Sequence, residues 1–181
     1  MREGNESSEA RPIVREWTVA GGLVLGDDGL LLVRNRRRSG AHDWSPPGGV
    51  IEQGEAIVDG LTREVAEETG VEVLDWDGPV YEVEVDAPDL GWRLRVEAHL
   101  ARSFQGELRV DDPDGIVVEA AWVDPAICGQ QLEQGHPWVR EPVCAWLAGI
   151  GGLDGPAAWS HRTFRYHVAG TDPGSLVVTA L

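Results

Sequence analysis

Short β-prone blocks, punctuated by glycine, proline and aspartate, flank one stretch with helical periodicity. Trp17 to Leu25 (WTVAGGLVL) reads as a strand in which Gly21-Gly22 marks a bulge or a close backbone approach. Asp27-Asp28-Gly29 signals a turn, and Leu30 to Val33 reads as the returning strand. Arg34, Asn35, Arg36, Arg37 and Arg38, with the Gly/His/Asp stretch up to Trp44, read as a strand end and loop. Pro46-Pro47-Gly48-Gly49 suits neither a helix nor a central strand. The spacing then predicts a helix from Glu55 to Thr69, with Ile57, Val58, Leu61 and Val65 as its buried stripe and Gly70 as its C-terminal stop. Val71 to Asp86 is strand material interrupted at Gly78-Pro79, and Ala87 to Gly91 is a turn. Leu94, Val96, Ala98 and Leu100 alternate along a strand from Trp92 to Ala101. After a turn at Asp111 to Gly115 comes the last main strand, Ile116 to Val123. Pro137 to Leu147 predicts a closing helix with Val139, Val143, Trp146 and Leu147 on one side.

The ends differ from this body. Residues 1–12 are polar and charged, and read as a mobile tail before a principal domain over residues 13–148. Gly149 to Pro156 reads as a Gly-rich linker. Beyond it Phe164, Tyr166 and Val168 alternate with Arg165 and His167, Asp172 to Ser175 turns, and Leu176-Val177-Val178 returns. This is a C-terminal hairpin, either an added sheet edge on the same molecule or an arm reaching a second copy in a homodimer. No internal repeat is present.

Composition narrows the function. A chain of 181 residues with 42% apolar and 25% charged positions is an ordinary globular domain with enough length for a core. Fifteen basic against 31 acidic residues give a net charge of −16, which argues against nucleic acid polymers and anionic membrane surfaces as partners. Small anionic ligands remain open, since they need only local cations. Cys128 and Cys144 are too few for a disulfide framework and form no CxxC pair, and no apolar run approaches a membrane span. These features predict a soluble, cytoplasmic protein.

The helix carries the chemistry. With about 100° per residue and Glu64 at zero, Glu67 falls at about −60° and Glu68 at about +40°, while the apolar stripe runs from about +20° to +120°. Glu64 and Glu68 therefore sit on the rim of the buried face. Like charges at these spacings disfavour a helix by roughly 0.2–0.5 kcal/mol per pair, a penalty that a divalent cation removes. Hard carboxylate oxygens suit Mg²⁺ or Mn²⁺ bridging to phosphate. Gly60 lies on the same face, where a small residue would admit an ion or phosphate close to the helix. Glu55 and Arg63, about 80° apart on the helix, are placed to hold the preceding glycine loop against it.

Gly49, five residues, Glu55, seven residues, then Arg63-Glu64-Val65-Ala66-Glu67-Glu68-Thr69-Gly70-Val71 resembles the Nudix box, with Pro47-Gly48-Gly49 as its lead-in. Nine defined positions within 23 residues match. The box is about an eighth of the chain, and the strand order extends the resemblance over residues 16–147. The resemblance implies an α+β protein of the Nudix fold, a mixed sheet sandwiched between helices (α/β/α), here with the C-terminal hairpin appended. It also implies Mg²⁺- or Mn²⁺-dependent hydrolysis of a pyrophosphate bond in a nucleoside diphosphate-linked small molecule. A MutT-like action on nucleoside triphosphates, oxidised ones included, is the default. ADP-ribose or another nucleotide sugar is an alternative substrate class, with Pro88 lying near the proline position of ADP-ribose pyrophosphatases. The array that marks NADH-cleaving relatives is absent, and the coenzyme A type is not matched. A nucleotide-sensing module that keeps the fold without cleavage is the reading from a different class.

By the same resemblance Glu64, Glu67, Glu68 and the carbonyl of Gly48 hold the metal, and Gly49, Glu55, Arg63 and Gly70 are structural. Glu64 is the first choice of general base, because partial burial raises a carboxyl pKa. Glu119, three residues before Trp122, is the candidate distal ligand or base, with Asp112 and Asp114 as weaker substitutes. Phosphate capture is assigned to the basic cluster, with Arg34, Arg36 and Arg38 as substrate-binding candidates beside Arg37. Trp17 and Trp122 are expected in the core. Trp44, Trp92 and above all Trp138 are placed to frame a base.

Overall fold

The computed structural model describes residues 14–150, 159–172 and 175–181. The N-terminal tail, most of the Gly-rich linker and the middle of the last turn lie outside the described residues. Strand β1 (Arg15–Leu23) leads into the short β2 (Leu25–Gly26), which pairs across the Asp27-Asp28 turn with β3 (Gly29–Arg36). Strands β4 (His42–Ser45) and β5 (Gly48–Val50) precede helix α1 (Ile57–Thr69). Two long strands follow, β6 (Glu72–Ala87) and β7 (Trp92–Gln105), and then β8 (Val117–Val123). Helices α2 (Cys128–Gln131) and α3 (Pro137–Ile150) come next, and β9 (Arg162–Ala169) and β10 (Val177–Ala180) end the described chain.

The strands form two sheets. One has the order β10-β9-β6-β7-β1-β5, and the other joins β2, β3, β4 and β8 around β3. In the larger sheet β1 runs parallel to β7 and β6 parallel to β9, while β5 lies antiparallel on the edge of β1. Alternation along β1 sends Ala20, and Val24 just beyond the strand, to the face covered by Leu61 and Val65 of α1. Leu23 faces the other side, in the core shared with Val143 and Trp146 of α3. The two helices thus cover opposite faces, as the α/β/α reading predicts.

The C-terminal hairpin is an added edge of this same sheet. Tyr166 and Val168 of β9 are buried with Val83, Val85 and Trp146, and the Tyr166 hydroxyl donates to Glu141 Oε2 at 2.9 Å. The hairpin therefore buttresses both the sheet and α3.

Three expectations need correction. Gly21-Gly22 is no bulge, because β1 pairs with β7 in continuous register; of the two readings the close backbone approach holds, with the Gly22 N–H donating to the Pro47 carbonyl at 2.8 Å and Trp76 and Val65 standing 3.0 and 3.1 Å from where its Cβ would be. Val58 is 39% exposed, because it falls at the outer limit of the α1 stripe and the sheet does not reach it. Trp17 is also 39% exposed, tilted against Trp92 near the end of the sheet. Trp122 is partly buried, stacked on Phe104.

Candidate active site

Two glycines bring an edge strand onto the helix. Gly48 has φ +138, and a Cβ there would lie 2.1 Å from the carbonyl oxygen of Ala20. Its N–H donates to Glu68 Oε2 at 2.8 Å, which ties β5 to the last turn of α1. At Gly49 a Cβ would stand 2.7 Å from Glu64 Cδ, so the absent side chain makes the room that the Glu64 carboxylate fills. The helix ends at Gly70 in the left-handed conformation, its N–H donating to Ala66.

Arg63 organises the carboxylates. Its Nη1 donates to Glu64 Oε1 at 2.9 Å and to Glu67 Oε2 at 3.2 Å, and its Nε reaches Glu55 Oε1 at 3.3 Å. Glu55 in turn accepts the N–H of Glu52 at 3.2 Å, which closes the loop on the helix as the sequence predicts. These hydrogen bonds, Arg63 first, hold the Glu55 carboxyl below its ordinary range. The notch at Gly60 is filled from within: a Cβ there would meet Glu55 Oε2 at 2.7 Å and Ile51 Cδ1 at 2.8 Å. Gly60 therefore makes room for the loop, which corrects its reading as a ligand approach.

Burial sets the electrostatics. Glu68 is 8% exposed, and desolvation pushes its carboxyl up to about 8, against the Gly48 hydrogen bond and aided by Glu64, Asp112 and Glu67. Burial also raises Glu64, opposed by Arg63. Among the described residues no three His, Cys, Asp or Glu side chains stand ready-converged on one metal position. What Glu64 and Glu67 jointly hold is the guanidinium of Arg63, a cation against their oxygens.

These groups line a cavity of about 860 Å³. One end has Gly48, Gly49, Glu64, Glu67 and Glu68, with Asp112 and Asp114 opposite. Asp112 caps its own loop, accepting from the N–H groups of Asp114, Ile116 and Val117. One wall is polar: Arg37 grips Asp43 with two bonds of 2.6 and 2.7 Å, and Asn35 Nδ2 donates to Ser45 Oγ at 2.9 Å. Another is aromatic, with His136 stacked on Trp138 at 4.0 Å between centroids and 10° between planes. Burial, and then the Arg37 charge, lower the His136 pKa and keep the ring neutral at neutral pH.

Of the predicted site residues, Gly48, Glu64, Glu67, Glu68 and Trp138 line this cavity together, with the structural set Gly49, Glu55, Arg63 and Gly70 around them. Arg34, Arg36, Arg38 and Glu119 do not line it. Arg34 pairs with Glu119 across the β3–β8 ladder at 3.3 Å, both half-exposed, and Arg36 donates to the Gly115 carbonyl at 3.1 Å. Arg38 is exposed. Trp44 and Trp92 are packed outside the cavity. Arg37 is the member of the basic cluster on the cavity wall. Asn35 and Tyr81 are cavity residues that the sequence did not single out, and Asp43 stands behind them as the partner of Arg37. Strand parity is the missed signal at Asn35, which shares a β3 face with the apolar Val33.

The family model of the NUDIX domain matches residues 16–147. The chain belongs to the Nudix family. Over 62 residues it is 46% identical to a MutT-like protein of Streptomyces ambofaciens, a match covering 34% of this chain and 38% of that protein. Over 51 residues it is 43% identical to the oxidized purine nucleoside triphosphate hydrolase of Mus musculus, covering 28% and 33%. The chain thus matches less than half the length of these curated relatives. In fold it is similar to a MutT protein from Bacillus halodurans, with a TM-score of 0.61, 22% identity, and 91% and 97% of the two chains covered. The Nudix match ends before β9, so the hairpin lies outside it. No helix among the described residues of this Nudix protein is long and apolar enough to cross a membrane.

Proposed function

We propose that this Nudix protein hydrolyses a phosphoanhydride bond in a nucleoside diphosphate-linked compound, with nucleoside triphosphates as the default substrates. The observation that carries the reading is the cavity itself. Its one end is a cluster of glutamates on a single helical turn and its other end is apolar and aromatic, which suits a molecule with a phosphate head and a ring at its tail.

The donor set fits Mg²⁺ or Mn²⁺. Glu64, Glu67, Glu68 and the Gly48 carbonyl offer hard oxygens, and the buried Glu68 carboxyl, raised first by desolvation and then by the neighbouring acids, gains a reason to ionise when a cation is beside it. A divalent ion bound there would neutralise phosphate oxygens and acidify a water.

The chain's own groups do the rest. Glu64, wedged against the Gly49 backbone, takes the proton of the attacking water at its carboxylate. Asp114, on the loop opposite, replaces Glu119 as the distal acidic group, because Glu119 is turned to Arg34. Asp112 holds that loop in shape. Arg37 supports the polar wall through Asp43, and the His136–Trp138 stack flanks the ring of the substrate.

The test is a panel of nucleoside triphosphates, ADP-ribose and nucleotide sugars incubated with Mg²⁺ or Mn²⁺. The expected products are a nucleoside monophosphate and the remaining phosphate-bearing fragment. Binding without cleavage across the whole panel would instead support a sensing module.

A further inference from the structure

The floor of the cavity, away from the carboxylates, is apolar: Val83, Val96, Ala98, Val139 and Val143 face it. Within this surface stands one phenol. Tyr81 lines the cavity, is only 4% exposed, and sets its ring edge-on to Phe164 at 5.9 Å. Its hydroxyl has no hydrogen-bond partner among the described residues, although the neighbouring Tyr166 hydroxyl is bonded to Glu141. No fully enclosed side-chain nitrogen or oxygen among the described residues lacks a partner. The Tyr81 oxygen is therefore not fully enclosed, and the cavity is a space that Tyr81 lines. A hydroxyl without a hydrogen bond, with only the Tyr166 hydroxyl and the Cys144 thiol as titratable neighbours, is a poor neighbour for a purely hydrocarbon group and a good one for a ring with a polar edge.

Resting on the function proposed above, we propose that the Tyr81 hydroxyl is a specificity-determining group that hydrogen-bonds the distal edge of the substrate's base. The site would then select nucleotides whose base carries an oxo or amino group on the edge remote from the sugar. With the phosphates at the glutamate end, the base points down the apolar floor and its far edge meets Tyr81. A base without a polar atom there leaves the hydroxyl unpaired in a desolvated pocket, and buried unpaired groups are what make polar discrimination steep.

Isothermal titration calorimetry of the full chain with Mg²⁺ tests this. The probes are inosine 5′-monophosphate and 1-deazapurine riboside 5′-monophosphate, the second of which lacks both the 6-oxo group and the N1 nitrogen and so carries no polar atom on that edge. The wild type is expected to bind the inosine compound about 10-fold more tightly. In Tyr81→Phe that preference is expected to vanish, through weaker binding of the inosine compound while the deazapurine compound binds as before. A merely structural role would weaken both ligands alike, and that outcome overturns the assignment. Equal binding of both probes by the wild type overturns it without any variant. Hydrolysis in the panel together with equal binding leaves the general function standing and removes only Tyr81; no binding of either probe and no hydrolysis removes both.

Discussion

Arg63 Nη1 lies 2.9 Å from Glu64 Oε1, one residue along the same helix. The same guanidinium also contacts Glu67 and Glu55, so one cation offsets three carboxylates. Arg63→Ala therefore leaves these acids crowded without compensation. Because Arg63 is 36% exposed at its side chain, solvent screening limits the loss to about 1 kcal/mol, or roughly 2–4 °C in a thermal melt. A melt with EDTA is expected to show this shift, and one with excess Mg²⁺ a smaller shift, since an added cation takes over the compensation.

The buried Glu68 gives a pH dependence to the metal-free protein. Its carboxyl is raised to about 8, above the unfolded value near 4.5. The native state therefore keeps a proton that the unfolded chain loses, and stability present below about pH 4.5 is lost as pH rises towards 8. A loss of order 2–4 kcal/mol is expected between these limits in EDTA. Glu68→Gln is expected to flatten the profile and to be the more stable protein at pH 8. Urea denaturation across that range checks both.

Gly49→Ala tests the wedge at Glu64. The new methyl group would press on the Glu64 carboxylate at 2.7 Å and push it out of place. The φ of Gly49 lies outside the left-handed region, so the backbone accepts alanine and the fold survives. A 10- to 100-fold fall in kcat/KM with a nearly unchanged melting temperature is expected, about what a displacement of order 1 Å produces.

The hairpin belongs to the core. Tyr166 is buried between the larger sheet and α3. Tyr166→Ala is expected to cost about 3–5 kcal/mol in urea denaturation. A loss below about 1 kcal/mol would mean that β9 is dispensable to the domain.

The helix, its glycine stop and its glutamates were legible because they rest on local rules. Leu61 and Val65 repeat at helical spacing, Gly70 takes the conformation that other residues avoid, and the rim position of Glu68 follows from the same angles. The hairpin was legible as a hairpin from the alternation of Phe164, Tyr166 and Val168, but its parallel partner β6 was not, because pairing at that separation leaves no local trace. The arginines show where local reading stops. Taken as a loop, Arg34 to Arg38 lose their parity. As strand β3 continues to Arg36, Asn35 and Arg37 reach the cavity while Arg34 and Arg36 bond elsewhere. Glu119 was misplaced for a related reason, since its partner Arg34 is set by the β3–β8 register. Tyr81 is invisible in sequence because an unpaired hydroxyl is a property of the packed interior.

The central claim is that glutamates of one helical turn act with a divalent cation on a nucleotide phosphoanhydride. The most direct measurement is hydrolysis of the best substrate in the panel by wild type, Glu64→Gln and Glu68→Gln with Mg²⁺, each variant first shown to be folded. Both variants are expected to lose at least about 100-fold in turnover. Wild-type turnover in Glu68→Gln, or full hydrolysis by the wild type in EDTA, would contradict the account.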